Sequence, residues 1–104
     1  MAHSSRGGLG FYDDGRLKAA EAAERLEDLR AWAEKSPTTR RRDLEPKLDE
    51  VRGLLNRARA RLEAVRMAGD DAARIRAART AATSAVEELT DALTRLENRL
   101  PVAA

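Results

Sequence analysis

The chain has 104 residues and a formal net charge of +2; 37% of its residues are charged, 3% are aromatic and none is cysteine. This length allows one domain at most, the lack of cysteine excludes disulfides and thiolate chemistry, and the Ala/Leu/Arg/Glu-rich composition favours long helices over sheets. No apolar run approaches the ~20 residues that span a bilayer, and MAHSSRGGLG at the start carries no signal-peptide segment, so we expect a cytoplasmic protein.

Residues 1–13 contain Gly and Ser without a periodic pattern, which predicts a flexible N-terminal tail. Within them, GLGF at 8–11 resembles the carboxylate-binding loop of PDZ domains, in which backbone N–H groups hold a peptide C-terminus. That loop lies between strands, whereas no period-two pattern follows here, so we predict no PDZ fold. Phe11 and Tyr12 are the only Phe and Tyr, and they either anchor the tail to the folded part or form a docking motif for a partner.

The first helix is predicted over about 14–35. Aliphatic residues recur at spacings of three and four from Ala19 to Ala33, and Asp13 or Asp14 can act as the N-cap. Trp32 borders this stripe. Pro37 ends the helix because it disfavours helical backbone at the preceding residue.

The second helix has the most regular pattern, with spacings of four and three that form a heptad seam at Leu44, Leu48, Val51, Leu55, Ala58, Leu62 and Val65. Pro46 is tolerated only in a first turn, so Asp43 is the secure start, and an irregular turn precedes it from residue 38. We therefore predict a helix over 38/43–68, with Gly69 as its left-handed cap and Asp70 as the N-cap of the next helix.

The third helix is predicted over 70–100, with a seam at Ile75, Ala82, Val86, Leu89, Leu93, Leu96 and Leu100. Arg79 falls on this seam, so Ala78 is expected to face inward while the arginine reaches out.

The short loop before this helix requires an antiparallel hairpin. The predicted fold is an all-α, antiparallel three-helix bundle (up-down-up, coiled-coil-like packing) over 14–101, with a C-terminal tail at 102–104. The predicted first helix is shorter than the third, ~33 Å against ~45 Å, so it leaves part of the hairpin's apolar surface uncovered. We expect either the tail residues Leu9, Phe11 and Tyr12 or a second chain in a homodimer to cover it.

Two stretches resemble a known helical family. RLEDLRAWAEKS at 25–36 is similar to the tryptophan-bearing first helix of spectrin-type repeats, and VRGLLNRARARLEA at 51–64 is similar to their second helix. The resemblance implies a spacer or adaptor fold with no catalytic residues to carry over.

Residues that carry chemistry are sparse. His3 is the only histidine, and no P-loop, Gly-x-Gly-x-x-Gly or Glu-x-x-His motif occurs. Neighbouring acids such as Glu87 and Glu88 diverge by ~100° on a helix, so they do not form an acid–base pair. We therefore expect no enzyme activity, no cofactor and no metal.

Positive charge is concentrated in the middle of the chain, where residues 40–79 hold twelve Lys/Arg against seven Asp/Glu, a balance of +5. These arginines either flank the core and pair with acids of the first helix or form a phosphate-binding surface.

Our first hypothesis is a non-enzymatic protein–protein interaction module with Trp32, Phe11 and Tyr12 as its candidate interface. The alternative is a nucleic-acid-binding protein with a basic surface; membrane binding is disfavoured by the narrow apolar faces. The candidate basic residues are Arg57, Arg61, Arg66, Arg74 and Arg76.

Overall fold

A computed structural model describes residues 7–100 and contains three helices: α1 (Gly7–Glu34), α2 (Thr38–Arg66) and α3 (Ala72–Arg99). Connections at 35–37 and 67–71 reverse the chain twice, and each helix packs against both of the others. No strand occurs between residues 7 and 100. The predicted all-α, antiparallel three-helix bundle is therefore confirmed, and GLGF lies in the first turns of a helix instead of between strands.

The core is formed by the aliphatic seams. All seven residues of the α2 seam, from Leu44 to Val65, are buried, as is the α1 stripe between Ala19 and Ala33. On α3 the buried run begins at Ala82, whereas Ile75 and Leu100, the ends of the predicted seam, are half-buried. The seam of α2 is thus covered by helices of its own chain.

The N-terminal part of α1 differs from the prediction. The helix begins at Gly7, so the flexible tail predicted up to residue 13 is wrong for residues 7–13; residues 1–6 and 101–104 lie outside the described part of the chain. Phe11 and Tyr12 pack against the core from this segment. The contacts of these two half-buried aromatic side chains with the core favour the helical extension and oppose the cost of about 1 kcal/mol for each helical glycine. With this extension the three helices have 28, 29 and 28 residues.

Gly15 packs closely against Leu62 of α2. It is buried, and a Cβ built on it would lie 2.3 Å from Cδ2 of Leu62. Ordinary carbon contacts are ~3.5–4.0 Å, so only a residue without a side chain fits here in the present packing.

The ends of α2 and α3 were predicted to within a few residues. α2 is one continuous helix from Thr38 to Arg66 with Pro46 in its interior. The prediction that Asp43 starts the helix with Pro46 in its first turn is therefore wrong, because α2 continues regularly through this proline despite the lost N–H group. Gly69 has the predicted left-handed backbone (φ 74°) and lies in the loop. The N-cap of α3 is Asp71, whose carboxylate accepts hydrogen bonds from the N–H groups of the residues two and three positions later, at 2.9 and 3.1 Å. The prediction of Asp70 as the cap is wrong by one residue.

An ion pair joins α1 to α3. Arg25 donates from Nε to one oxygen of Glu97 at 3.0 Å and from Nη2 to the other at 2.6 Å. This bidentate hydrogen bonding lowers the pKa of Glu97 and raises the pKa of Arg25. Both side chains are about one-third exposed, so the pair stabilises the packing only modestly.

Candidate functional site

A cleft of about 510 Å³ lies between the first half of α1 and the last turns of α2. Its polar lining consists of arginines, one tyrosine and one glutamate, and its floor contains aliphatic residues of the core. We call it the arginine cleft; its principal residues are Tyr12, Arg16, Arg59, Leu62, Glu63 and Arg66.

The heptad register places the three arginines at the rim of the core. Arg59 and Arg66 each follow a buried seam residue of α2, seven positions apart, so they lie on one flank of that helix. Arg16 follows the buried Gly15 in the same way on α1. Because the two helices are antiparallel, these flanks meet on one side of the bundle.

Glu63 is the one carboxylate in the lining of the arginine cleft, and its oxygens are already engaged. The Tyr12 hydroxyl donates to Oε2 at 3.1 Å, and Arg66 donates to Oε1 from Nε at 2.8 Å and from Nη2. The hydrogen bonds from Arg66, and then from Tyr12, hold the pKa of Glu63 below its ordinary value, and Arg16 adds a smaller electrostatic contribution. Glu63 is therefore ionised at neutral pH and satisfied by its neighbours.

Arg16 and Arg59 are available for a ligand. Both are exposed, and neither forms an ion pair within residues 7–100. The guanidinium of Arg16 lies 5.6 Å from the centroid of the Tyr12 ring, a cation–π distance that favours one orientation of this side chain. Three guanidiniums thus share the arginine cleft with one carboxylate, a net of +2.

A second cleft, of about 320 Å³, lies between α1 and α2 at the opposite end of the bundle. Here two arginines face three carboxylates, so the charge is nearly balanced with a small negative excess. Nε of Arg30 is buried without a hydrogen-bond partner in the described part of the protein. The charged residues of this cleft are Arg30, Arg41, Glu34, Glu45 and Asp49.

A third cleft, of about 230 Å³, lies between α2 and α3 and carries Lys47, Arg95 and Arg99 with Glu50. Its charge balance equals that of the arginine cleft, but it has less than half the volume and no aromatic lining residue. It therefore provides an internal control for the effect of charge alone.

The five arginines of the predicted basic surface lie on different sides of the bundle. Arg66 lines the arginine cleft, whereas Arg57 lies at the α2–α3 boundary, 3.5 Å from Glu88. The other three are exposed and form no ion pair within the described residues; they are Arg61, Arg74 and Arg76. The structure brings Arg66 together with Arg16 and Arg59 instead.

The sequence pattern does not indicate Arg16 as a site residue, because the aliphatic stripe of α1 begins only at Ala19 and leaves the heptad position of Arg16 undefined. Extending the α1 stripe back by four residues from Ala19 reaches Gly15 and places Arg16 on the flank. Because Gly15 has no hydrophobic side chain, a hydrophobic pattern does not identify it as a core position, and the sequence indicates the position of Arg16 only weakly.

The three aromatic residues of the candidate interface are half-buried, and each has an arginine over its ring. Arg79 lies 4.7 Å from the Phe11 centroid, and Arg40 lies 5.5 Å from that of Trp32. Tyr12 and Trp32 are twenty residues apart on α1, a distance of ~30 Å. The aromatics therefore do not form one surface, and only Tyr12 belongs to the arginine cleft.

Comparisons with known protein families, with curated proteins and with solved structures return no match to this chain. Within residues 7–100, no helix is long and apolar enough to cross a membrane, and no three His, Cys, Asp or Glu side chains are grouped to hold a metal ion.

Proposed function

We propose that this protein is a non-enzymatic helical interaction module, a scaffold, adaptor, docking domain or small regulator, that binds an acidic segment of another protein through the arginine cleft. One observation carries the proposal: Arg16 and Arg59 face the cleft without an ion pair in the described residues, and the neighbouring Glu63 is already bonded. Guanidinium groups bind carboxylates through paired hydrogen bonds, so a segment rich in Asp and Glu complements this site.

The packing of the bundle supports recognition through charge. The aliphatic seams are buried within one chain, and the large exposed hydrophobic residues in the described part are Leu17 and Met67. These two lie on different elements, on α1 and after the end of α2, so they do not form a broad apolar face. Self-association through a shared apolar seam is therefore less well supported than binding of a partner protein through charge.

Nucleic-acid binding is the competing function, and two observations disfavour it. Arg66 lines the arginine cleft between α1 and α2, whereas Arg57 pairs with Glu88 at the α2–α3 boundary. The half-buried aromatic rings are covered by arginines, so they offer no open stacking surface for bases.

Fluorescence anisotropy with a labelled glutamate-rich peptide tests the proposal. We expect binding that weakens at least about tenfold in Arg16→Gln/Arg59→Gln, because each lost charge-assisted contact contributes ~1.5 kcal/mol or more. The matched control Arg95→Gln/Arg99→Gln removes the same charge from the third cleft and should change affinity by less than about twofold. Failure of the peptide to bind, or equal losses in the two variants, would contradict the proposal.

Labelled duplex and single-stranded DNA, measured at ~50 and ~200 mM salt, provide the second arm. Tighter binding to DNA than to the peptide, with a steep salt dependence that Arg57→Glu/Arg61→Glu reduces, would favour the competing function.

Trp32→Ala should leave peptide affinity unchanged because Trp32 lies at the other end of α1. Light scattering should show a monomer, and a melting temperature that rises with protein concentration would favour the homodimer.

A further inference from the structure

The arginine cleft contains more positive charge than its own residues balance. Arg16, Arg59 and Arg66 line it, and the carboxylate of Glu63 accepts from Arg66 and from Tyr12. Arg66 uses Nε and Nη2 for this contact, so its Nη1 makes no hydrogen bond to the described residues. The cleft has a net charge of +2, three positive groups against one negative, so a ligand group with two negative charges would neutralise it.

We infer that the arginine cleft binds a phosphate monoester, carried by a phosphorylated side chain within the acidic partner segment; this inference rests on the proposed function. A phosphate monoester has a charge of about −1.5 to −2 at pH 7 and three acceptor oxygens, whereas a carboxylate has one charge and two oxygens. The monoester therefore matches the charge of the cleft more closely than Asp or Glu does.

The arrangement of the donors suits this group. Arg16 and Arg59 line the cleft from different helices, and each has a planar guanidinium that can form paired hydrogen bonds with phosphate oxygens. The ring of Tyr12 restricts Arg16, which lowers the entropy lost when this side chain binds. The cleft volume of about 510 Å³ falls within the range of ligand sites, ~300–1,000 Å³, and accommodates the phosphate with adjoining peptide atoms.

The experiment uses one acidic peptide in three forms, with Ser, Glu or phosphoserine at its central position, and measures anisotropy with the full chain. We expect the phosphoserine peptide to bind at least about tenfold more tightly than the Glu peptide, since it offers one further charge-assisted contact. Arg16→Gln/Arg59→Gln should abolish that margin, and Arg95→Gln/Arg99→Gln should preserve it. If the double variant of the cleft fails to fold, as judged by circular dichroism, Arg59→Gln alone should still reduce the margin.

The possible failures separate the two proposals. Equal affinity for the Glu and phosphoserine peptides, or loss of the margin in the third-cleft control, would overturn the phosphate site while leaving an acidic-segment module. Binding of free O-phosphoserine at the arginine cleft, seen as chemical-shift changes at Arg16 and Tyr12 while no peptide binds, would overturn the proposed function and the peptide-borne ligand and leave only a site for the free phosphate monoester.

Discussion

Replacing Gly15 with alanine should destabilise the bundle, although alanine is the better helix former. The new Cβ would lie 2.3 Å from Cδ2 of Leu62 and 3.3 Å from both Cδ1 and Cγ. Leu62 is only 2% exposed and also lines the arginine cleft, so the clash can be relieved only by moving a core side chain or the helix. Either Leu62 changes rotamer or α1 moves away from α2, and both disturb the core.

The magnitude follows from two opposing contributions. Removing a helical glycine gains about 1 kcal/mol, whereas overpacking a dense core costs about 1–3 kcal/mol. Gly15→Ala should therefore lower the free energy of unfolding by about 0–2 kcal/mol. Gly53 is exposed on α2 and has no atom within 4 Å of a built Cβ, so Gly53→Ala should raise it by about 1 kcal/mol. The difference between the variants, about 1–3 kcal/mol, isolates the steric cost.

Urea denaturation followed by far-ultraviolet circular dichroism measures this difference, provided that the m-value is the same in all variants. A difference of 1 kcal/mol corresponds to ~4–8 °C in melting temperature for a domain of this size. In a Leu62→Ala background the obstructing atoms are gone, so Gly15→Ala should become stabilising. Equal stabilisation by Gly15→Ala and Gly53→Ala in the wild-type background would refute the reasoning.

Three further predictions concern local features. Pro46→Ala should raise the free energy of unfolding by about 1–3 kcal/mol in urea titrations, because it supplies the N–H group that proline lacks inside α2; an unchanged midpoint would contradict this. Asp71→Ala should lower it by about 1 kcal/mol through loss of the α3 cap, while Asp70→Ala, its control, should be nearly neutral. NMR titration should show the pKa of Glu97 below its ordinary value in the wild type and closer to it in Arg25→Gln. Since the folded pKa is lowered, the stability from this pair is complete above the unfolded pKa, near 4.3, and is lost as pH falls through the folded value.

The helical pattern was predictable because burial in this fold follows a simple repeat. Every aliphatic residue assigned to the α2 seam is buried, since a spacing of four and three keeps one face toward neighbouring helices. The start of α1 was not predictable in the same way. Three glycines before Phe11 have low helix propensity, and the tertiary contacts of two aromatic rings override that local preference.

The candidate site was harder to predict than the fold. Arg59 and Arg66 could be placed on one flank from their spacing, but their partner on α1 depends on how the helices align across the interface. The close contact of Gly15 with Leu62 is part of that alignment, and a hydrophobic pattern does not indicate it. Ion pairs such as Arg57–Glu88 also depend on interhelical register, so the number of arginines that stay unpaired could not be derived from composition.

An odd number of antiparallel helices has a mechanical consequence. α1 begins at one end of the bundle and α3 finishes at the other, with helices ~42 Å long between them. Tension applied to both termini would therefore load the helix contacts in shear along their length, instead of peeling them apart one at a time. Groups fused to the two ends would be held apart by a stiff rod, a geometry suited to a distance-sensitive optical probe of unfolding under force.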